Sequence, residues 1–282
     1  MAVQRGLESS HPPASRLFSD PLAPSFVSRG WRIVLSACRL GVVRQVIEAV
    51  YDHVGGPGPR SSAIARTKLI DDIVEKLAPT VDQVVILGAG YDTRPYRLGC
   101  LSRCAVFEVD HPDTQTAKVA AIPRTHSERP GRVSFVPVDF EVDDLAESLR
   151  TAGFSTASSS LFLWEGVAQY LSEQAVDATL ATVRCLGNSG SVLVFTYVDK
   201  AVIDGDLRRF PEAEKWLRGV QKRGEPWKFG ISPASLSLFL DARGFELIED
   251  VSTAEAGERY FDPLGRHDRG SAIYRIVTAS IV

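Results

Sequence analysis

The residues best suited to chemistry lie in VVILGAGYDTRPYRL (84–98), where an apolar run ends in Gly88-Ala89-Gly90. Small residues there let the backbone turn tightly and approach a ligand. Twenty positions after Gly90, the run AVFEVD (105–110) ends in Asp110. An acid at that distance, on the tip of a second strand, is placed to accept hydrogen bonds from ribose hydroxyls. Asp110 is the first choice for that role and Glu108 the second. Strand, turn and acid fall in register, which makes the pattern more specific than glycines alone.

A dinucleotide fingerprint has a third glycine where this chain has Thr93, preceded by Asp92. A carboxylate beside the turn repels a pyrophosphate held at a helix N-terminus. It suits a phosphate-free ligand with a cationic end, such as S-adenosylmethionine (SAM), and so argues against NAD. Asp92 is equally able to cap the following helix. Two more acids end apolar runs. VSFVPVDF (133–140) places Asp139 beside an adenine, or as a cap on the next helix. SLFLWEG (160–166) brings Glu165 to the carboxyl edge, where open α/β sheets bind ligands. Flanked by Trp164 and Gly166, Glu165 needs partners: a cation of the site, ligand donors, or a salt bridge to Arg66 or Arg94.

The elements that position these residues follow from hydrophobic periodicity. WRIVLSACRLGVVRQVIEAVYDHV (31–54) carries apolar residues at three- and four-residue steps, including Val43, Val46, Ile47 and Val50, and predicts a helix. GGPGP (55–59) breaks it, and a second helix is expected over 61–79. From residue 81 short apolar runs alternate with helical segments: 81–90, 105–110, 133–140, 160–166 and 190–198. Runs that continuous predict parallel strands covered on both faces, hence a doubly wound α/β sheet. FELIEDV (245–251) and SAIYRIVTAS (271–280) add two strands, the last one antiparallel. The expected organisation is an N-terminal helical cover (1–78) on an α/β unit (79–282), the two forming one structural unit. Residues 199–232 insert after the fifth strand as a lid or as a surface helix, with PEAEKWLRGVQKRG helical and Trp227 and Phe229 beyond it.

Composition narrows the function classes. The 282 residues carry 32 basic and 35 acidic side chains, a net charge of −3, which argues against binding nucleic acid through phosphate neutralisation. With 44% hydrophobic residues the chain can bury a sizeable core. No run of 18 apolar residues exists, and the first residues lack the apolar stretch of a secretory signal, so a cytoplasmic protein with no membrane partner is expected. Cys38, Cys100, Cys104 and Cys185 match no zinc spacing and read as reduced thiols. His11, His53, His111, His126 and His267 are scattered, and no metal is expected.

Taken in order, RTKLIDD (66–72), LGAGYDTRPYRL, FEVDHPDTQTAK, VPVDF and LWEGVAQYL resemble the leucine carboxyl methyltransferase family. The likeness is to its bacterial branch of SAM-dependent O-methyltransferases, which includes enzymes that methylate polyketide carboxylates. QRGLESS, RLFSDPLAPSF, GEPWKFGISP and FLDARGFEL are also similar to that branch, so the resemblance spans almost the whole chain. It implies a class I SAM-dependent methyltransferase fold: Rossmann-like, mostly parallel and seven-stranded, with an antiparallel last strand. By the resemblance, Arg66 would hold the methionine carboxylate and Gly88 and Gly90 would pass against the methionine part. Asp110 would hold the ribose, Asp139 with Phe140 would flank the adenine, and Glu165 would bind the amino group or line the site. Arg5 would correspond to a basic residue that family members carry near the N-terminus, here at a different spacing from FSDPLA. Eukaryotic members act on the C-terminal leucine of a phosphatase subunit; the 199–232 insertion is similar to the bacterial branch instead, so a small-molecule acceptor is expected.

Methyl transfer from SAM requires acceptor oxygen, methyl carbon and sulfur in line. A carboxylate is already ionised at pH 7 and needs no base. A phenol or alcohol needs one within reach, for which His111, then His53 and His267, are the candidates. Tyr170, Trp227 and Phe229 are candidate acceptor contacts. No residue is assigned a catalytic role with certainty; Tyr170 and His111 are the leading candidates. A nicotinamide-dependent oxidoreductase and a non-catalytic SAM-fold regulator complete the alternatives, and the protein is expected to be a monomer or a homodimer.

Overall fold

The computed structural model describes residues 1–56, 58–122, 133–140, 142–222, 224 and 226–282. Seven strands form one sheet: β1 Gln83–Leu87, β2 Ala105–Asp110, β3 Val133–Pro137, β4 Ser160–Trp164, β5 Val192–Val198, β6 Phe245–Ser252 and β7 Tyr274–Ile281. Their order is β3-β2-β1-β4-β5-β7-β6. The first five run parallel, and β7 runs antiparallel between β5 and β6.

Helices in chain order are α1 Ala2–Ser9, α2 Arg29–Ala37, α3 Gly41–Gly55, α4 Pro59–Leu77, α5 Arg94–Arg97, α6 Pro112–Ala121, α7 Leu145–Thr151, α8 Glu173–Leu186, α9 Lys200–Ile203, α10 Ala213–Lys222, α11 Leu236–Asp241 and α12 Thr253–Phe261. Successive strand residues point to opposite faces, and both faces are covered. Val85, Leu87, Phe107 and Phe162 pack against Leu149 of α7, Leu180 of α8 and Leu240 of α11. Val84, Ile86, Leu161 and Leu163 pack against Ile64 and Ile70 of α4 and Phe261 of α12. Every residue of β1 and β4 is buried, as the unbroken apolar runs require.

The chain winds outward from β1 to β3 on one side and from β4 to β5 on the other. The reversal opens a crevice at the carboxyl ends of β1 and β4, where a doubly wound sheet receives its ligand. The loops after these two strands carry Gly88 and Glu165.

The helix expected over 31–54 is two helices. Leu40 is extended (φ −80°, ψ 117°) and ends the run before Gly41, a residue that costs about 1 kcal/mol inside a helix. Pro59, at a position where its missing N–H costs nothing, starts α4 two residues earlier than expected. Within the insertion, Ala213 and Trp216 of α10 pack with Val198, Val202, Phe210 and Ile273, so this helix is anchored to the ends of β5 and β7. Among the described residues no helix is long and apolar enough to cross a membrane, and no group of His, Cys, Asp and Glu is arranged to hold a metal.

Candidate active site

The turn after β1 is built for backbone approach. Gly88 and Gly90 have positive φ (65° and 44°), and a Cβ on Gly88 would lie 2.5 Å from Cγ2 of Val167. No side chain fits there. Asp110, at the tip of β2, accepts from the Gly90 amide through Oδ2 and from the His111 amide through Oδ1 at 2.7 Å. An ionised carboxylate has about four acceptor positions, so capacity remains for a ligand hydroxyl.

Around the turn lies a buried lattice of charge. Glu165 Oε1 accepts from Arg66 Nε at 2.8 Å and its Oε2 from Arg94 Nη1 at 2.7 Å. Both salt-bridge partners anticipated for this carboxylate are therefore engaged. Arg94 Nη1 also donates to Asp92 Oδ2 at 2.6 Å, and Arg94 Nε to Asp71 Oδ1 at 2.8 Å. Asp71, on α4, holds Arg97 through two bonds of 2.6 and 2.7 Å. Asp20 accepts from Arg5 Nε at 2.7 Å and from Thr93 Oγ1 at 2.8 Å, while Arg5 Nη2 donates to the Tyr91 carbonyl at 2.6 Å. Four guanidiniums thus face four carboxylates. Burial pushes the Asp92 carboxyl up, but Arg94, with Lys118 and Arg97, outweighs it and holds it at about 2. Burial likewise opposes ionisation of Glu165, and Arg94 and Arg66 overcome it, leaving its carboxyl below the usual range. Asp92 stands one residue before Thr93, the N-cap of α5, and its Oδ1 accepts from the Arg94 amide at 2.7 Å.

Above this floor is a cavity of about 830 Å³, lined by Gly88, Ala89, Gly90, Asp92, Arg66 and Glu165 at the sheet edge. Trp31, Ile47, Val50 and Val54 form one wall and Trp216, Val220 and Trp227 another, with Tyr170 and Tyr274 also exposed to the cavity. The Arg66 guanidinium lies 5.4 Å from the Tyr274 ring centre, and Trp227 meets that ring edge-on at 5.4 Å. Three polar atoms of lining residues are buried without a hydrogen-bond partner: Trp227 Nε1, Gln169 Oε1 and Gln4 Oε1. The Gln169 amide nitrogen donates to the Gly166 carbonyl at 3.0 Å, so only its oxygen is left unpartnered.

The cavity thus brings together Arg66, Gly88, Ala89, Gly90, Asp92, Glu165, Tyr170 and Trp227. Asp110 stands behind the glycine turn and is joined to it through the Gly90 amide. Asp139, with its amide bonded to Asp143 Oδ2 at 2.8 Å, and Phe140 lie at the end of β3, Phe140 facing a smaller cleft beside Val142 and Leu145. His111 is exposed, with Nε2 3.9 Å from Asp139 Oδ2, and no described histidine lines the cavity; His126 lies outside the described residues. Two expectations need correction. Phe229 does not face the cavity: it is buried in the core against Phe239, because the bridge between Ile231 and Asp199 draws this strand-like segment inward. Glu108 is sealed beneath the site in an ion pair with Lys118 at 2.7 Å. Asp20, Asp71, Arg97, Gln169 and Tyr274 were not anticipated; the Arg66–Asp71 spacing within RTKLIDD was the only signal for any of them.

A seven-stranded sheet in this order, with a glycine cradle and acids at the crevice, defines a Rossmann-like SAM-dependent methyltransferase. The profile of the family described as leucine carboxyl methyltransferase matches residues 1–184. The chain is 32% identical, over 94% of its length and 89% of the relative's, to a Frankia alni protein named "Putative S-adenosyl-L-methionine-dependent methyltransferase". A Mycobacterium marinum protein of the same name is 31% identical over 74% of this chain and 67% of its own. The fold is shared with a "putative methyltransferase" from Thermobifida fusca YX (TM-score 0.59, 18% identity, 98% and 97% of the two chains). It is shared too with a duf574 family protein from Streptomyces avermitilis (TM-score 0.60, 16% identity, 85% and 91%). The chain belongs to the leucine carboxyl methyltransferase family.

Proposed function

We propose that this methyltransferase acts on a carboxylate oxygen of a small-molecule acceptor. The observation that carries the reading is the absence of an available base among the described residues lining the cavity. Among the described residues its two carboxylates, Asp92 and Glu165, are locked to arginines, and no described histidine lines it. An acceptor already ionised at neutral pH needs no base. His111 as general base is disfavoured by its exposed position outside the cavity.

In this reading Arg66 would hold the methionine carboxylate, Glu165 would receive the ammonium group or line the site, and Gly88, Ala89 and Gly90 would pass against the methionine part. Asp110 takes the ribose, and Asp139 and Phe140 flank the adenine. The residues fit such a ligand: a side chain would fill the cradle at Gly88, and the ionised Asp92 repels pyrophosphate and favours a cationic ligand. SAM held there would supply an electrophilic methyl group, and transfer of that methyl to a carboxylate oxygen would give a methyl ester with S-adenosylhomocysteine as co-product. The chain's own contribution is alignment and exclusion of water. The net charge of −3 supports a small-molecule partner over nucleic acid.

The test is incubation with methyl-labelled SAM and a panel of carboxylic acids, phenols and alcohols. Label released as methanol by mild alkali identifies an ester and supports the reading. Alkali-stable label on a phenol or alcohol, lost in His111→Ala, contradicts it.

A further inference from the structure

Helix α3 is turned inside out. Its charged side chains face inward: Arg44 Nη1 donates to the Ser10 carbonyl at 3.1 Å, Glu48 meets His11 at 2.8 Å, and Asp52 pairs with Arg60 at 2.7 Å. Val43 and Ile47 pack inward against Leu7 and Leu35, but the other four valines face outward. Val42, Val46, Val50 and Val54 are 75%, 56%, 54% and 70% exposed. Four-residue spacing puts them in one row along the helix, about 18 Å long at 1.5 Å per residue. A surface helix ordinarily shows the reverse arrangement, so an apolar occupant is called for. The row does not stop at the surface: Val50 and Val54 line the cavity, facing Trp216 and Trp227 from the insertion. It is a continuous apolar path from the outside of the molecule to the candidate active site.

At the inner end of that path the polar groups include hydrogen-bond donors. Trp227 Nε1 is buried without a partner. Burial, together with the neighbouring Tyr170, keeps the Tyr274 phenol protonated, and Arg66 opposes this more weakly. A phenol O–H suits an oxygen of an anion.

We propose that the acceptor is a long-chain carboxylic acid, its apolar body laid along the Val42–Val54 row and its carboxylate met by the Tyr274 hydroxyl. This deepens the carboxylate reading given above and rests on it for the reacting group. The binding mode stands or falls without turnover.

The experiment titrates straight-chain monocarboxylic acids of increasing length, and the matching primary alcohols, into protein loaded with S-adenosylhomocysteine. Acid affinity is expected to rise about fourfold per added methylene while the chain lengthens along the row. The double variant Val50→Asp, Val54→Asp should abolish that rise while S-adenosylhomocysteine binding persists; both side chains are exposed, so folding is not at stake. Tyr274→Phe, which keeps the ring and removes the hydroxyl, should weaken acids about tenfold and alcohols markedly less. A flat chain-length series overturns the proposal. So does a valine variant that changes only the concentration dependence of molecular mass, because a second copy of the chain then covers the row. Acids that bind as described yet yield no ester leave the binding mode intact but overturn their role as acceptor, and with it the proposed reaction.

Discussion

Arg94 Nη1 lies 2.7 Å from Glu165 Oε2 and so ties the turn after β1 to the turn after β4 across the crevice. The same guanidinium serves Asp71 and Asp92. Arg94→Met leaves three buried carboxylates short of a partner and is expected to cost about 3–5 kcal/mol. Arg94→Lys should recover only part of this, since one ammonium cannot reproduce a planar fork reaching three acids. Urea denaturation of the three proteins measures both effects.

The Asp92 carboxyl, held at about 2 by Arg94 against the cost of burial, ties stability to pH. Its folded value lies below an unfolded value of about 4. The contribution is therefore present above pH 4 and is lost as pH falls through 2. In Asp92→Asn that increment is missing, so the stability difference between wild type and variant should narrow from pH 6 to pH 3. A difference that stays constant over this window contradicts the assignment.

Glu108 and Lys118 behave oppositely. Burial pushes the Glu108 carboxyl up to about 7 even with Lys118 beside it. A raised folded value means stability is greatest below about 4 and is lost as pH rises through 7. Lys118→Met removes the compensating charge and leaves a carboxyl that can escape only by taking a proton. The variant should lose about 3–5 kcal/mol at pH 8 and markedly less at pH 5, as read from thermal or urea unfolding at the two pH values.

Gly88 is constrained twice, by its φ of 65° and by Val167 2.5 Å from where a Cβ would stand. Gly88→Ala should lower S-adenosylhomocysteine affinity by at least about tenfold, because the turn must shift to make room. Adding Val167→Ala should relieve the clash but not the backbone strain, so calorimetry should find only partial recovery.

The glycine turn, Asp110 and Glu165 were legible because each ends a continuous apolar run, and strand ends converge on the crevice of a doubly wound sheet. The ion lattice was less so. Arg94 meets Asp71 across 23 residues and Glu165 across 71, and single charges carry no period that would announce such partners. Tyr274 enters the cavity from the first residue of β7, where a tyrosine in a strand signals nothing beyond packing. The valines of α3 show a different limit. Their spacing identifies an apolar face but does not say where it points, and the inward pairs of Arg44, Glu48 and Asp52 turn that face outward. Phe229 was misplaced for a related reason, since an aromatic beside a loop tryptophan looks the same whether it lines a cavity or a core.

The central claim is that a phosphate-free adenosyl ligand lies across the β1–β4 crevice with its ribose on Asp110. Calorimetry of S-adenosylhomocysteine with wild type and Asp110→Ala, using NAD as the control ligand, tests it most directly. The account predicts micromolar binding to wild type, at least about tenfold weaker binding to the variant, and no heat from NAD. Binding of NAD in place of S-adenosylhomocysteine, or equal affinity of the two proteins, would contradict it.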